Sequence, residues 1–299
     1  MFQRFRFSAS DSRFAQPTRR RPSNQRRTAV VVRGLVLTLA VALPVGLAGC
    51  ASDEQPEYVE RPVGELYNQA MDQLLDEQYD TAAETFDEVE RQHPYSTWAS
   101  KAQLMAAYAH YLNDNYTEAV NALDRFIELH PGNRDIAYAY YLKALSYYEQ
   151  IADVRRDQKM TRQARNVLQE VVDRFPGTKY ARDARLKLDL TEDHLAGAEM
   201  VVGRYYLEKG HYLAAIKRFR RVVEDYQTTT HVPEALHRLV EAYMALGVVD
   251  EAKATAAVLG HNYPSSDWYA DSYQLLTGRD MNPERDEDSW ISRVWGTVS

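Results

Sequence analysis

The chain has 299 residues, with 36 Lys and Arg, 43 Asp and Glu, and a formal charge of −7. Residues 1–49 hold nine Arg and one Asp, so the rest carries 27 basic against 42 acidic side chains, a formal −15. A segment that acidic repels nucleic acid and anionic headgroups, which argues against both as general partners, and the single cysteine excludes an internal disulfide framework or a Cys-rich metal site.

From Gly34 to Gly49 the sequence GLVLTLAVALPVGLAG is apolar, follows Arg33 and runs into Cys50. With Pro44 inside it, this stretch is shorter than the roughly 20 residues needed to span a bilayer, but it suits the core of a secretory signal. The run Leu47-Ala48-Gly49-Cys50 resembles a bacterial lipobox, which implies cleavage before Cys50, acylation of that residue and a lipid anchor in the membrane. Ala51 follows the cysteine; lipoproteins retained in the inner membrane carry Asp there, so the resemblance implies the outer membrane, with the protein facing the periplasm. Residues 1–32 are Arg-rich without apolar period and are expected to be disordered, unless translation starts nearer Val30 to Leu35.

Residues 50–63 form an expected tether with two prolines and four acidic side chains. Beyond it an internal repeat governs the chain. Counting from Ala119, the helix-face offsets 4, 7, 8 and 11 fall on Leu123, Phe126, Ile127 and His130, and Pro131 follows. The same offsets from Ala82 reach Phe86, Val89 and His93; from Ala164 they reach Leu168, Val171 and Phe175. From Ala215 they reach Phe219, Val222 and Tyr226, and from Ala252, Ala256, Leu259 and Tyr263. Each origin predicts a second helix ended at that last ring. Small side chains twelve residues upstream (Ala70, Ala107, Gly203, with Val240 in the fifth copy) predict a first helix packed closely against it. The turns between carry Asn113, Asp114, Gly210 or Gly247.

This spacing resembles the tetratricopeptide repeat, which implies an all-α, right-handed superhelical solenoid of about five helix pairs. Repeats one and two are expected over 64–132, and repeats three to five over 133–264 with an insertion near 148–160 that forms a charged loop or an extra half-turn. The stretch from Thr178 to Lys209 predicts one long helix or two nearly continuous ones. Over 265–299 the reading is a capping helix with Trp268, Tyr269, Tyr273 and Leu276 facing the array, then a charged tail ending in Trp290, Ile291, Val294 and Trp295. That last stripe either lies on the solenoid or docks a partner.

No phosphate loop, zinc-protease motif or nucleophile elbow occurs, and neither catalytic residues, a metal nor a cofactor is expected. His93, His130 and His110 fall in aromatic packing slots. The pairs Glu192-Asp193 and Asp286-Glu287-Asp288 read as solvated charge runs. Tyrosine is abundant, at 21 residues. In AYAYYLKALSYY, residues 137–148, Tyr138, Tyr141 and Tyr148 share a helical stripe while Tyr140 and Tyr147 lie off it. These rings either fill the space beside the insertion or line a concave groove able to take an extended peptide, with Tyr140 and Tyr147 the candidates.

A lipobox, a short tether, five repeats and an insertion in the third together resemble the BamD (ComL) family of outer-membrane lipoproteins. The matches are His93-Pro94-Tyr95-Ser96 with Ala107-Tyr108-Ala109-His110-Tyr111, Asp124-Arg125-Phe126-Ile127, Arg155-Arg156-Asp157-Gln158, and Tyr205-Tyr206 with Gly210. The resemblance implies a non-enzymatic scaffold of the β-barrel assembly machine. It would bind the last POTRA domain of BamA, other Bam lipoproteins and the C-terminal signals of unfolded barrel proteins. Arg218 stands at the family's BamA-contacting arginine with Arg221 one turn on, and Tyr95, Tyr108 and Tyr111 fall in the client-recognition repeats. His93-Pro94-Tyr95 departs from the family's Tyr-Pro-Phe. The alternative is another outer-membrane repeat lipoprotein that coordinates cell-wall or polysaccharide synthesis.

Overall fold

The structure, a computed structural model, describes residues 59–278 and 289–296. The signal core, Cys50 and most of the tether lie outside the described residues, as does the acidic run 286–288. Among the described residues there are helices and no strands. The helices are α1 (Val63–Leu75), α2 (Tyr79–Gln92), α3 (Thr97–Leu112), α4 (Tyr116–Leu129), α5 (Ile136–Tyr148) and α6 (Lys159–Arg174). They continue as α7 (Lys179–Glu208), α8 (Tyr212–Asp225), α9 (Val232–Leu246), α10 (Val249–Asn262), α11 (Asp267–Thr277) and α12 (Trp290–Gly296). None is long and apolar enough to cross a membrane.

The repeat offsets translate directly into packing. Ala82, Ala119, Ala164, Ala215 and Ala252 are fully buried, as are Phe86, Leu123, Leu168, Phe219 and Ala256 four residues on. At offset 11, His93, His130, Phe175, Tyr226 and Tyr263 each cap a helix in one backbone conformation, with φ between −125 and −134° and the N–H donated to the carbonyl four residues back. Each of their carbonyls then accepts from the N–H three residues ahead, at Ser96, Asn133, Thr178, Thr229 and Ser266. One turn geometry is therefore used five times.

The small residue of the first helix is needed for contact. A Cβ on Gly203 would lie 2.5 Å from the ring of Phe219, so only glycine lets α7 and α8 approach this closely. The third copy defeats the twelve-residue count because residues 149–158 intervene between α5 and α6; fully buried Ala144 occupies the corresponding place on α5.

Successive helices pack antiparallel. In addition the odd-numbered helices touch one another along the array, α1 on α3, α3 on α5, α5 on α7 and α7 on α9, whereas α2, α4, α6, α8 and α10 make no comparable contacts with one another among the described residues. Elements that approach across a curved stack lie on its tighter side, so the odd helices form the inner surface. The core is a chain of clusters, and α7 joins two of them. Its Ala184 and Leu188 belong with Leu168 and Val171, and its Ala196 and Met200 belong with Phe219 and Leu236.

The tail stripe is spent within the molecule. Helix α12 packs on α10, Ile291 is fully buried, Ser289 donates to Glu251 at 2.7 Å, and the Arg220 guanidinium stacks 4.0 Å over Trp290.

Candidate functional site

Two surfaces gather the residues singled out by the sequence. The first is a band of tyrosines on the inner side. Tyr108 and Tyr111 come from α3, Tyr138 and Tyr141 from α5, and Tyr180 from α7. Tyr180 lies 5.6 Å from the ring of Tyr138 and 5.3 Å from that of Tyr141. Tyr108, Tyr111 and Tyr138 pack, half-buried, around Leu104, Ala107 and Leu142. Tyr141 donates to the Asp183 carboxylate at 2.5 Å, and Lys187 stands 3.2 Å from the same carboxylate. Burial pushes the Tyr138 and Tyr141 phenols well above their usual range, and the Asp183 carboxylate adds to the shift at Tyr141. Burial does the same at Tyr111, where Glu149 adds to it. The hydrogen bond from Tyr141 in turn holds Asp183 below its usual value. These rings stay neutral hydroxyl donors with apolar faces, a surface suited to peptide backbone and aromatic side chains.

Tyr140 and Tyr147 do not belong to it. Tyr140 is only 8% exposed, stacks 5.4 Å from Phe175 and accepts from Arg174 at 2.8 Å; Tyr147 packs half-buried in the same cluster. The stripe of Tyr138 and Tyr141 turns inward, and the off-stripe rings fill the space against α6. Tyr95 stands fully exposed on the α2–α3 turn and makes no ring contact with the band among the described residues. Toward the amino-terminal end the inner surface opens into a cavity of about 350 Å³. Tyr67, Leu104 and Met105 line it together with Lys101 and with Arg134, which is paired with Asp135 at 3.3 Å.

The second surface is on α8. Arg218 and Arg221, one turn apart, both donate to Glu199 of α7, at 3.0 and 2.8 Å. The hydrogen bond that Arg221 donates to Glu199 raises the Arg221 pKa. Two guanidiniums on one carboxylate leave a net positive charge, and both remain over a third exposed. Glu199 escaped the sequence reading because nothing in the repeat offsets links it to α8.

The histidines serve packing and turns. His93 Nε2 lies 2.7 Å from the Arg61 carbonyl, and His130 Nε2 lies 2.8 Å from Gln103 Oε1. Glu192 and Asp193 are more than a solvated charge run. Glu192 accepts from Arg165 at 2.9 Å, and Asp193 accepts from the backbone N–H and hydroxyl of Thr230. They join neighbouring repeats.

The repeat array with its tyrosine band matches a family model described as an outer membrane lipoprotein (YfiO) over residues 59–259. An outer membrane protein assembly factor BamD from Caulobacter vibrioides is 50% identical over 259 residues, covering 87% of this chain and 84% of the relative. This chain belongs to the BamD family of outer-membrane lipoproteins. A BamD from Rickettsia prowazekii is 49% identical over 244 residues, 81% of this chain and 97% of that one. One from Neisseria meningitidis serogroup A is 35% identical over 253 residues, 80% of this chain and 95% of the relative. The family match over 59–259 reaches from α1 into α10 and so contains both surfaces.

Proposed function

We propose that the protein is a lipid-anchored, non-enzymatic scaffold of outer-membrane β-barrel assembly. In this reading Cys50 carries the acyl chains, Arg218 and Arg221 contact the last POTRA domain of BamA, and the inner surface receives C-terminal signals of unfolded barrel proteins. The observation that carries it is the band of neutral, half-buried tyrosines shared by α3, α5 and α7, which offers a client peptide aromatic faces and hydroxyl donors over three repeats. The cavity supports it by offering an apolar recess with the Lys101 ammonium in its wall, a fit for an apolar residue next to a terminal carboxylate, Arg134 being already paired with Asp135.

Two measurements test the reading. Tyr138→Ala combined with Tyr111→Ala is expected to weaken crosslinking of a peptide with an aromatic C-terminal residue roughly tenfold. Equal crosslinking in a folded variant rejects the groove. Arg218→Glu is expected to abolish BamA co-purification, but it also sets a second carboxylate beside Glu199. Arg218→Gln leaves Arg221 to neutralise Glu199, and it should still reduce BamA recovery at an unchanged melting temperature. Full recovery with that variant rejects the Arg218 contact.

A further inference from the structure

The insertion between α5 and α6 is a braced loop. Gln158, 8% exposed, donates its amide to the carbonyls of Asp153 and Arg156, both at 3.0 Å, and its oxygen accepts from Thr161 at 2.8 Å. Asp153 accepts from the Arg155 N–H, and His194 of α7 sits 2.7 Å from the Ala152 carbonyl. A Cβ on Gly197 would lie 3.6 Å from Val154 and 3.1 Å from His231, so loop, α7 and the α8–α9 turn meet at that glycine.

This bracing presents Arg155 and Arg156 outward, both exposed. On α7, exposed Arg182 and Arg185 flank Leu186 and Leu190, which are 66% and 62% exposed. Among the described residues none of these four arginines forms an ion pair, although Arg162, Arg165, Arg174 and Lys187 around them do. Arg182, Leu186, Leu190, Gly197 and Val201 follow one face of the helix. Beside Leu190 that face opens into a notch of about 250 Å³, walled by Val154, Gly197, Val201 and His231, with Asp193, held by Thr230, and Arg204, paired with Glu234, at its sides. Glu199, with its two arginines, points from the opposite side of α7.

We propose that this face of α7 and the braced loop form a docking site for an acidic, amphipathic helix of a protein partner. The notch would seat one apolar side chain, Leu186 and Leu190 would cover its neighbours a turn away, and the unpaired guanidiniums would take carboxylates. Four unpaired arginines around bare leucines, against exposed Asp189 among them, make a basic patch on residues 50–299, whose formal charge is −15, and Arg suits carboxylate geometry better than Lys does. A walled notch favours a side chain over a flat lipid surface. The site is separate from the tyrosine band and from Arg218, and it stands whether or not those contacts are made.

The test uses the lipidated full chain in zwitterionic nanodiscs and a labelled synthetic peptide, helical, with leucines at i, i+3 and i+7 flanked by glutamates. The peptide is expected to bind and to shield the Arg155-Arg156 segment from trypsin, while its lysine counterpart does neither. Arg155→Glu with Arg156→Glu should weaken the glutamate peptide about tenfold and admit the lysine peptide. Leu190→Glu should weaken both pairings, and the melting temperature should hold because all three side chains are exposed. Affinity for the glutamate peptide that is unchanged in these variants overturns the proposal. So does shielding of the segment by anionic phosphatidylglycerol discs and not by the peptide, which would make this a membrane surface.

Discussion

At the residue scale, the turns inside the repeats show where the chain carries strain. Glu77, Asp114, Gly210 and Gly247 occupy the same left-handed position, with φ of 61, 57, 72 and 76°. The N–H one residue further on reaches back to the preceding helix in each case, as Gln78 to Gln73 and Val248 to Tyr243 do. Glutamate is poorly suited to that conformation, so Glu77→Gly is expected to stabilise the protein by about 1 kcal/mol and Gly210→Ala to destabilise it by a similar amount, both read from denaturant midpoints. Glu77 was illegible in the sequence because no side-chain type there announces the turn. Gly210 and Gly247 were legible for the opposite reason.

The Tyr141–Asp183 pair makes a prediction with a pH signature. Asp183 has its pKa lowered by the phenol, so the stability it contributes is present above the ordinary aspartate value of 3.8 and is lost as pH falls through the depressed value. Tyr141→Phe should therefore cost about 1 kcal/mol at neutral pH, discounted for a half-exposed carboxylate, and almost nothing in acid. A melting-temperature difference that stays constant across that range would show that the hydrogen bond is not responsible. Which tyrosines face inward was half-written in the sequence. The stripe of Tyr138 and Tyr141 was visible, but which side of α5 met α6 depended on the loop between them.

At the element scale, α7 is the departure from a regular array. Over 30 residues it serves as a partner for α6 with its first half and as the first helix of the fourth repeat with its second. Its length could be read from the absence of proline between Thr178 and Lys209. Its double membership could not, because the small and apolar residues of the two halves obey one period and belong to different cores. Asp189→Pro, at an exposed position between them, removes one helix hydrogen bond and should cost about 3 kcal/mol. Calorimetry is expected to show one unfolding transition for the parent and two for the variant. One shifted transition would mean that the clusters stay coupled by other contacts.

At the scale of the whole molecule, repetition made the fold legible and irregularity hid the sites. Five alanines and the rings eleven residues beyond them located five helix pairs, because each repeat must bury the same face on its neighbour. The Arg218–Glu199 contact and the meeting of residues 149–158 with α7 fall where the period breaks or where two helices cross, and no linear spacing encodes such a crossing. Histidines at offset 11 show the same limit. The slot was evident, whereas the carbonyl of Arg61 and the amide of Gln103 that fill it were not.

The continuity of α7 bears on how force passes through the chain. Its backbone is a single rod about 45 Å long, with one end wedged among the helices of the third repeat and the other among those of the fourth. A hinge needs a break in hydrogen bonding, and there is none along this rod. A load gripped at its amino-terminal end would reach α8 as torque on a stiff lever, so any bending of the array has to occur at the short turns on either side.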